Sequence, residues 1–124
     1  MSGIEYSETN EFRKDLKRLL RRFRSLKDDL ETVKKAAIEL YHVRGIDNLS
    51  IFQITGLNTA EIQIYKIKKF ACKALKGKGA ASGIRVIYAW HVKTSAVDFI
   101  EIYYKGDQGN EDRERIKSYL SSHQ

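Results

Sequence analysis

Basic and tyrosine side chains alternate with apolar ones along three predicted strands in the second half of the sequence. Residues 62–71, 84–92 and 97–105 show the two-residue period of a strand and are rich in β-branched and aromatic types. Strand alternation predicts one shared outer face for Lys66, Lys68, Arg85, Tyr103 and Lys105. The same alternation predicts a core-facing set, which is Tyr65, Ile67, Val86, Tyr88, Trp90, Ile100 and Ile102.

The residues of this outer face have the chemistry that RNA handling needs. Lysine and arginine neutralise phosphates, and an arginine can also clamp a phosphate and stabilise a phosphorane-like transition state. A tyrosine can stack on an unpaired base. RNA cleavage needs no metal, because the 2′-hydroxyl is the nucleophile and the protein has only to orient it and transfer protons. We therefore regard Arg85, Lys66, Lys68, Lys105 and Tyr103 as candidate catalytic residues, without a metal or cofactor.

Further candidates lie beside this set. Lys69 follows the first strand, and the turn 75–79 adds Lys76 and Lys78 at the rim, so all three are predicted to bind RNA. His91 falls on the same face by alternation and is a possible acid or base, although surface histidines more often have no chemical role. One cysteine and scattered histidines do not have the spacing of a zinc site.

Each candidate also has an ordinary structural interpretation. Arg85 could be a strand arginine paired with Glu101, and Lys66 and Lys68 could lie on a solvated strand face. The glycines of the 75–79 turn could serve only its backbone.

Two helices must precede the strands. Apolar residues recur at helical spacing from about residue 9 to 26, namely Phe12, Leu16, Leu19, Leu20, Phe23 and Leu26. Asp28 and Asp29 suit the first turn of a second helix, whose apolar stripe is Leu30, Val33, Ala37, Leu40 and Tyr41. The short link between the helices predicts antiparallel neighbours.

The remaining segments complete the predicted order (β)ααβββα. Residues 4–6 suggest a first strand, and residues 43–61 a connection with a short strand or a turn of helix. Asn110 is the predicted N-cap of a short closing helix that buries Ile116, Tyr119 and Leu120. We predict an α+β fold in which two N-terminal helices pack on one face of an antiparallel sheet and leave the other face partly exposed.

Length and charge are consistent with this assignment. The 124 residues fit a single domain, 1–124, and contain no proline or linker. The net charge is +7, and residues 63–105 hold nine Lys and Arg against two Asp and Glu. Such clustering favours a polyanionic partner. With one cysteine, no apolar leader and no apolar run long enough for a membrane span, we expect a cytoplasmic protein that does not contact a membrane.

The sequence resembles the RelE/ParE superfamily of toxins from toxin–antitoxin systems. Residues 5–7 and 12–19 are similar to the family's first strand and long first helix. Residues 65–70, 75–79 and 82–88 resemble its basic strand, turn and "GxRVxY" strand, and residues 100–107 resemble its last strand. The strand containing Arg85 is the most specific of these pieces.

This resemblance implies a RelE-like toxin, a ribosome-associated endoribonuclease (an mRNA interferase) that cuts mRNA and is inhibited by a cognate antitoxin. DNA would be reached only through the antitoxin. By position, Arg85 matches the family's phosphate-binding arginine, Lys66 and Lys68 match basic strand positions that bind RNA and assist proton transfer, and Lys105 matches a basic residue ending the last strand. Many members carry a His or Tyr after that strand, whereas residues 107–113 have neither, so the general acid is unassigned.

Two other functions stay open at the level of sequence. A toxin of this fold could act on a protein target such as a topoisomerase, or a relic could bind an antitoxin or RNA without cutting. The clustered basic residues favour the nuclease, and the missing tail His or Tyr favours the relic.

Overall fold

The computed structural model describes residues 3–75, 77–79 and 81–123. The first half contains β1 (Glu5–Glu8), α1 (Asn10–Leu20) and α2 (Leu26–Val33), which continues through a π-helical segment (Lys34–Glu39) into α3 (Leu40–His42). The second half contains β2 (Ile51–Gln53), β3 (Ile62–Ile67), β4 (Ile84–His91), β5 (Ala96–Tyr104) and α4 (Arg113–Ser122). The predicted α+β class is confirmed.

The strands form one sheet in the order β1-β5-β4-β3-β2. Neighbours from β2 to β5 pair antiparallel, but β1 pairs parallel with β5, so the prediction of a purely antiparallel sheet is wrong. β1 can pair parallel with β5 because the helices and three strands that separate them in the sequence form a connection long enough for a crossover. The short strand allowed within residues 43–61 is β2, an edge strand.

The first helix is shorter than predicted. Thr9 is its N-cap, and the Thr9 hydroxyl accepts a hydrogen bond from the Phe12 amide at 3.1 Å. The helix ends at Leu20, and the amides of Arg22 and Phe23 both donate to the Leu19 carbonyl in a tight turn. Phe23 and Leu26 are both buried although they lie beyond the end of α1, which is why the apolar spacing continues to residue 26.

Helices cover both faces of the sheet. One buried cluster lies between the sheet and the first helices and includes Phe12, Leu16, Tyr88, Phe99 and Ile102. A second cluster lies on the other face and includes Ile64, Ile87, Ile100, Ile116 and Tyr119. The last two belong to α4, so the face predicted to be free of helices is covered along part of its length.

A β-bulge changes the alternation of β5. Ile87 pairs with Glu101 and Tyr88 pairs with Phe99, which leaves Ile100 as an extra residue between the two pairs. Ile100 consequently packs in the cluster beneath α4, whereas Ile102 packs in the cluster beneath α1 and α2. The prediction that Ile100 and Ile102 share a face is wrong, because one inserted residue reverses a period of two.

The closing helix begins two residues later than predicted. Asp112, not Asn110, is the N-cap, and its side chain accepts a hydrogen bond from the Arg115 amide at 3.1 Å. This shift leaves residues 106–111 as an irregular segment between β5 and the helix, and its Asn110 and Glu111 side chains contact Lys66 of β3. Within the described ranges, no helix is both long enough and apolar enough to span a bilayer.

Candidate nucleic-acid interface

The pairing of β3, β4 and β5 brings three candidate residues together. Arg85 lies directly opposite Tyr103, and Lys66 lies opposite Ile87, two residues from Arg85 along β4. Lys66 and Arg85 are therefore diagonal neighbours, about 7–8 Å apart at their Cα atoms. Lys68 directly follows the end of β3 and Lys105 directly follows the end of β5, so both lie at the edge of the sheet where β4 begins. The Lys105 amide donates to the Gly83 carbonyl at 2.8 Å. We call Lys66, Lys68, Arg85 and Lys105 the basic face.

One nitrogen of the Arg85 guanidinium is hydrogen-bonded to the neighbouring backbone. Its Nη1 atom donates to the Lys68 carbonyl at 2.9 Å and to the Ile84 carbonyl at 3.3 Å. Glu101, considered above as its partner, is only 2% exposed and accepts instead from the Gln108 amide group and the Asp112 backbone amide, each at 2.8 Å. The remaining guanidinium N–H groups of Arg85 are left to bind an anion.

Lys66 is held by an acidic partner from the segment before α4. Its Nζ lies 2.7 Å from Glu111 Oε1 and 3.2 Å from Asn110 Oδ1. The Lys66 and Glu111 side chains are only 12% and 11% exposed. Lys66 is thus not the freely solvated strand lysine of the alternative interpretation.

The Lys66–Glu111 contact favours the charged form of both side chains. Burial by itself would lower the pKa of Lys66, but the interactions with Glu111 and with the Tyr103 hydroxyl together outweigh it, so the pKa is raised. Burial by itself would raise the pKa of Glu111, but the hydrogen bond from Lys66 and the charge of Arg113 leave the pKa of Glu111 lowered. At neutral pH the pair is therefore an ammonium and a carboxylate.

The Lys66–Glu111 pair lines an open groove between the edge strand β2 and the start of α4. This β2–α4 groove has a volume of about 270 Å³, and its lining includes Phe52, Lys68 and Arg113. Arg113 Nη1 lies 3.8 Å from Glu111 Oε2, and its Nη2 donates to the Thr55 carbonyl at 3.3 Å. Three cationic side chains and one carboxylate line the groove, so its charge favours an anion.

Tyr103 does not present its ring to solvent. Its side chain shares the predicted face but is 4% exposed, within the apolar cluster beneath α4. Burial raises the pKa of Tyr103, an effect that Lys66 opposes, and Lys66 Nζ lies 5.8 Å from the ring centroid. The prediction that Tyr103 stacks on a base is wrong, because α4 and the segment before it cover this part of the face.

The other predicted RNA-binding lysines are exposed wherever the structure describes them. Lys68, Lys69, Lys78 and Lys105 have exposed side chains, and Lys68 Nζ lies 4.8 Å from the Phe52 ring centroid. Lys76 lies outside the described residues.

His91 is far from this cluster. It ends β4 six residues from Arg85, a distance of about 20 Å along the strand. Its Nε2 lies 2.7 Å from the Tyr119 hydroxyl, and burial, together with His123, lowers its pKa despite the charge of Asp98. The structure does not bring His91 to the basic face, so His91 cannot act on a group bound at Arg85.

Sequence reasoning missed Phe52, Glu111 and Arg113. Phe52 lies in a segment that had no clear period, and the pairing of β2 with β3 is visible only in the fold. In the sequence, Glu111 directly follows the predicted N-cap Asn110, where an acidic residue is expected in the first turn of a helix for structural reasons alone. The one available signal was its position in the short polar segment after the last strand, where the resemblance expects a functional side chain.

No family model and no curated protein matches the chain. Among solved structures, the chain is similar to the archaeal RelE–RelB complex from Pyrococcus horikoshii OT3, with 18% sequence identity and a TM-score of 0.47. The similarity covers 84% of this chain and 97% of that one. At this identity and TM-score, the function has to be inferred from the residues of the chain itself.

Proposed function

We propose that the protein binds RNA at its basic face and cleaves the RNA backbone, acting in the cytoplasm as the toxin of a toxin–antitoxin pair. The observation that carries this proposal is the clustering of Lys66, Lys68, Arg85 and Lys105 at one end of a sheet face, next to a groove whose charge favours anions. Translated mRNA as the substrate and a cognate antitoxin as the partner follow from the sequence resemblance and are parts of the same proposal.

The proposed cleavage uses the 2′-hydroxyl of the RNA as its nucleophile. The 2′ oxygen forms a bond to phosphorus while the bond from phosphorus to the 5′ oxygen breaks, which gives a 2′,3′-cyclic phosphate and a free 5′-hydroxyl. Glu111 is the carboxylate able to accept the 2′ proton, and Lys66 is the ammonium able to protonate the leaving oxygen. Arg85 and Lys105 offset the charge that develops on the phosphoryl oxygens.

A second candidate function is RNA binding without cleavage. One observation favours it: the pKa of Glu111 is lowered and that of Lys66 is raised, whereas efficient acid–base catalysis needs pKa values close to the working pH. A bound phosphate that takes the place of Glu111 beside Lys66 would raise the pKa of Glu111 toward neutral by like-charge repulsion, whereas Lys66 would keep an anionic partner and stay protonated, ready to donate its proton.

The experiment that tests the proposal follows growth and total mRNA integrity together after induced expression in a bacterial host. We expect the wild type to arrest growth and to cut mRNA, and Arg85→Ala to do neither. Arg24→Ala is the matched control, because Arg24 is an exposed arginine on the turn after α1 and follows Phe23, which packs in the cluster on the opposite face of the sheet. Arrest with intact mRNA would point to a protein target, and no arrest by a folded wild type would contradict the toxin proposal.

Binding is measured separately from cutting. The purified protein is titrated into a labelled RNA whose 2′-hydroxyl groups are replaced by 2′-O-methyl groups, so that the substrate cannot be cleaved. Wild-type protein that binds this RNA and leaves ordinary RNA intact would support the second candidate function over the first.

A further inference from the structure

Phe52 is an exposed aromatic side chain in a charged groove. It lies on the edge strand β2, directly opposite Lys66, so the two side chains share a face. Phe52 is 41% exposed, and the Lys68 ammonium lies over its ring. A large aromatic residue exposed on an edge strand favours edge-to-edge association, which makes a purely structural role unfavourable.

The position of Lys68 shows that one face of this ring is accessible. Its ammonium lies 4.8 Å from the ring centroid, and the Lys68 side chain is exposed. A cation–π contact at an exposed site is weak, whereas a base stacked on an aromatic ring is a stronger interaction. A nucleobase would therefore displace the ammonium, which would then be free to contact the adjoining phosphate.

Three cationic side chains line the same groove as the ring. Lys66 is the cross-strand neighbour of Phe52, and Lys68 follows the end of β3, two residues along the extended chain from Lys66 and about 7 Å away. Arg113 lines the other side of the groove, where its guanidinium is half exposed. A base on Phe52 places its own 5′ or 3′ phosphate within reach of these side chains.

We propose that the β2–α4 groove is a binding subsite for one unpaired nucleotide, with the base stacked on Phe52 and a phosphate held by Lys68 and Arg113. This inference rests on the proposed function and adds to it the preference for single-stranded RNA, because the faces of paired bases are hidden in a duplex. It also sets the register of the strand, since the next phosphate along would lie toward Lys66 and Arg85.

The test measures the fluorescence anisotropy of a labelled oligouridylate of about eight nucleotides, carrying 2′-O-methyl groups. Phe52→Ala and Phe52→Leu both remove the ring, and the leucine retains apolar bulk, whereas Phe52→Tyr retains the ring. We expect the alanine and leucine variants to bind about tenfold more weakly and the tyrosine variant to bind within about twofold of wild type. Val92→Ala is the matched control, because Val92 is a similarly exposed apolar residue beyond the far end of β4.

A second probe separates stacking from charge. Inorganic tripolyphosphate has no base, so we expect it to compete equally well with the labelled RNA for all four Phe52 forms, and less well for Lys68→Gln and Arg113→Gln. A duplex of the same length is expected to compete more weakly than the single strand.

The outcomes distinguish this inference from the function on which it rests. Wild-type protein that binds RNA equally well with alanine or leucine at position 52 would overturn the subsite and leave RNA binding intact. Wild-type protein that binds no RNA would overturn both. An equal loss of affinity for RNA and tripolyphosphate in Phe52→Leu would also overturn the stacking, because it would show a general disturbance of the groove.

Discussion

Lys66 Nζ and Glu111 Oε1 lie 2.7 Å apart, and this contact joins strand β3 to the segment that leads into α4. Both side chains are nearly covered, so the interaction is screened far less than a surface ion pair. The pair places one carboxylate among the cations of the β2–α4 groove. An anion entering the groove therefore competes with Glu111 for Lys66.

Replacement of Glu111 by glutamine should separate affinity from cleavage. Glu111→Gln removes the competing negative charge, and we expect RNA affinity to rise about tenfold. We expect cleavage to slow by at least about a hundredfold if Glu111 accepts the 2′ proton. Anisotropy with uncleavable RNA measures the first quantity, and single-turnover cutting of ordinary RNA measures the second.

The matched control is Glu114→Gln, which removes the same charge from an exposed position in the first turn of α4. We expect it to change affinity by no more than about twofold. Because Glu111→Gln leaves Lys66 with a neutral partner, we also expect it to lower the free energy of unfolding by about 1–2 kcal/mol. A variant that binds RNA no more tightly than wild type would show that Glu111 does not compete with the phosphate.

We predict that the Tyr103 hydroxyl contributes little to the stability of the fold. The Tyr103 hydroxyl is buried, and no hydrogen-bond partner for it lies among the described residues. Tyr103→Phe therefore loses no well-formed hydrogen bond, only the interaction of the hydroxyl with the Lys66 ammonium, and we expect the free energy of unfolding to stay within about 0.5 kcal/mol of wild type or to increase. Urea denaturation measures this. A loss above about 1 kcal/mol would show that the hydroxyl does have a partner, and the effect on RNA cleavage would then identify whether that partner is catalytic.

The sequence was sufficient to place Lys66, Lys68 and Arg85 on one face, because strand alternation is a local property. It could not reveal the bulge at Ile100, since a bulge depends on the pairing of two strands rather than on the period of one. The contact between Lys66 and Glu111 joins residues 45 positions apart, and such contacts leave no mark on local spacing.

The sequence also did not predict that α4 covers part of the sheet. The apolar stripe of α4, including Ile116 and Tyr119, shows that the helix must pack on something but not on which face. That choice decides the exposure of Tyr103, which alternation alone predicts to be outward. It also explains why the candidate site is narrower than the predicted open face.

Gly106 and Gly109 form a matched pair for testing the packing next to Lys105. A Cβ atom added at Gly106 would lie 2.5 Å from Tyr104 Cε2, whereas one added at Gly109 would meet nothing within 4 Å. The Tyr104 ring cannot move away easily, because it packs on Phe23 and Arg22 lies over it. We expect Gly106→Ala to lower the free energy of unfolding by about 1–3 kcal/mol and Gly109→Ala to leave it unchanged or slightly raised. Equal effects in thermal or urea unfolding would contradict this packing argument.

His42 predicts how stability responds to acid. Its ring stacks on Trp90 at 4.1 Å between centroids, and its Nε2 lies 2.8 Å from the Tyr88 hydroxyl. Burial lowers the pKa of His42 from its ordinary 6.5 to about 4. Between these two values the unfolded chain takes up a proton that the folded protein does not, so stability decreases as the pH falls from 6.5 toward 4.

The test compares wild type with His42→Phe, which retains a flat ring against Trp90 but does not titrate. Urea unfolding at about pH 7.5 and about pH 4.5 gives the loss of stability of each protein on acidification. We expect the wild type to lose about 1 kcal/mol more than the variant, a value reduced from the full pKa difference because the histidine is partly exposed. Carboxylates titrate in both proteins and cancel in the comparison, so an equal loss would mean that His42 is protonated as easily in the folded protein as in the unfolded chain.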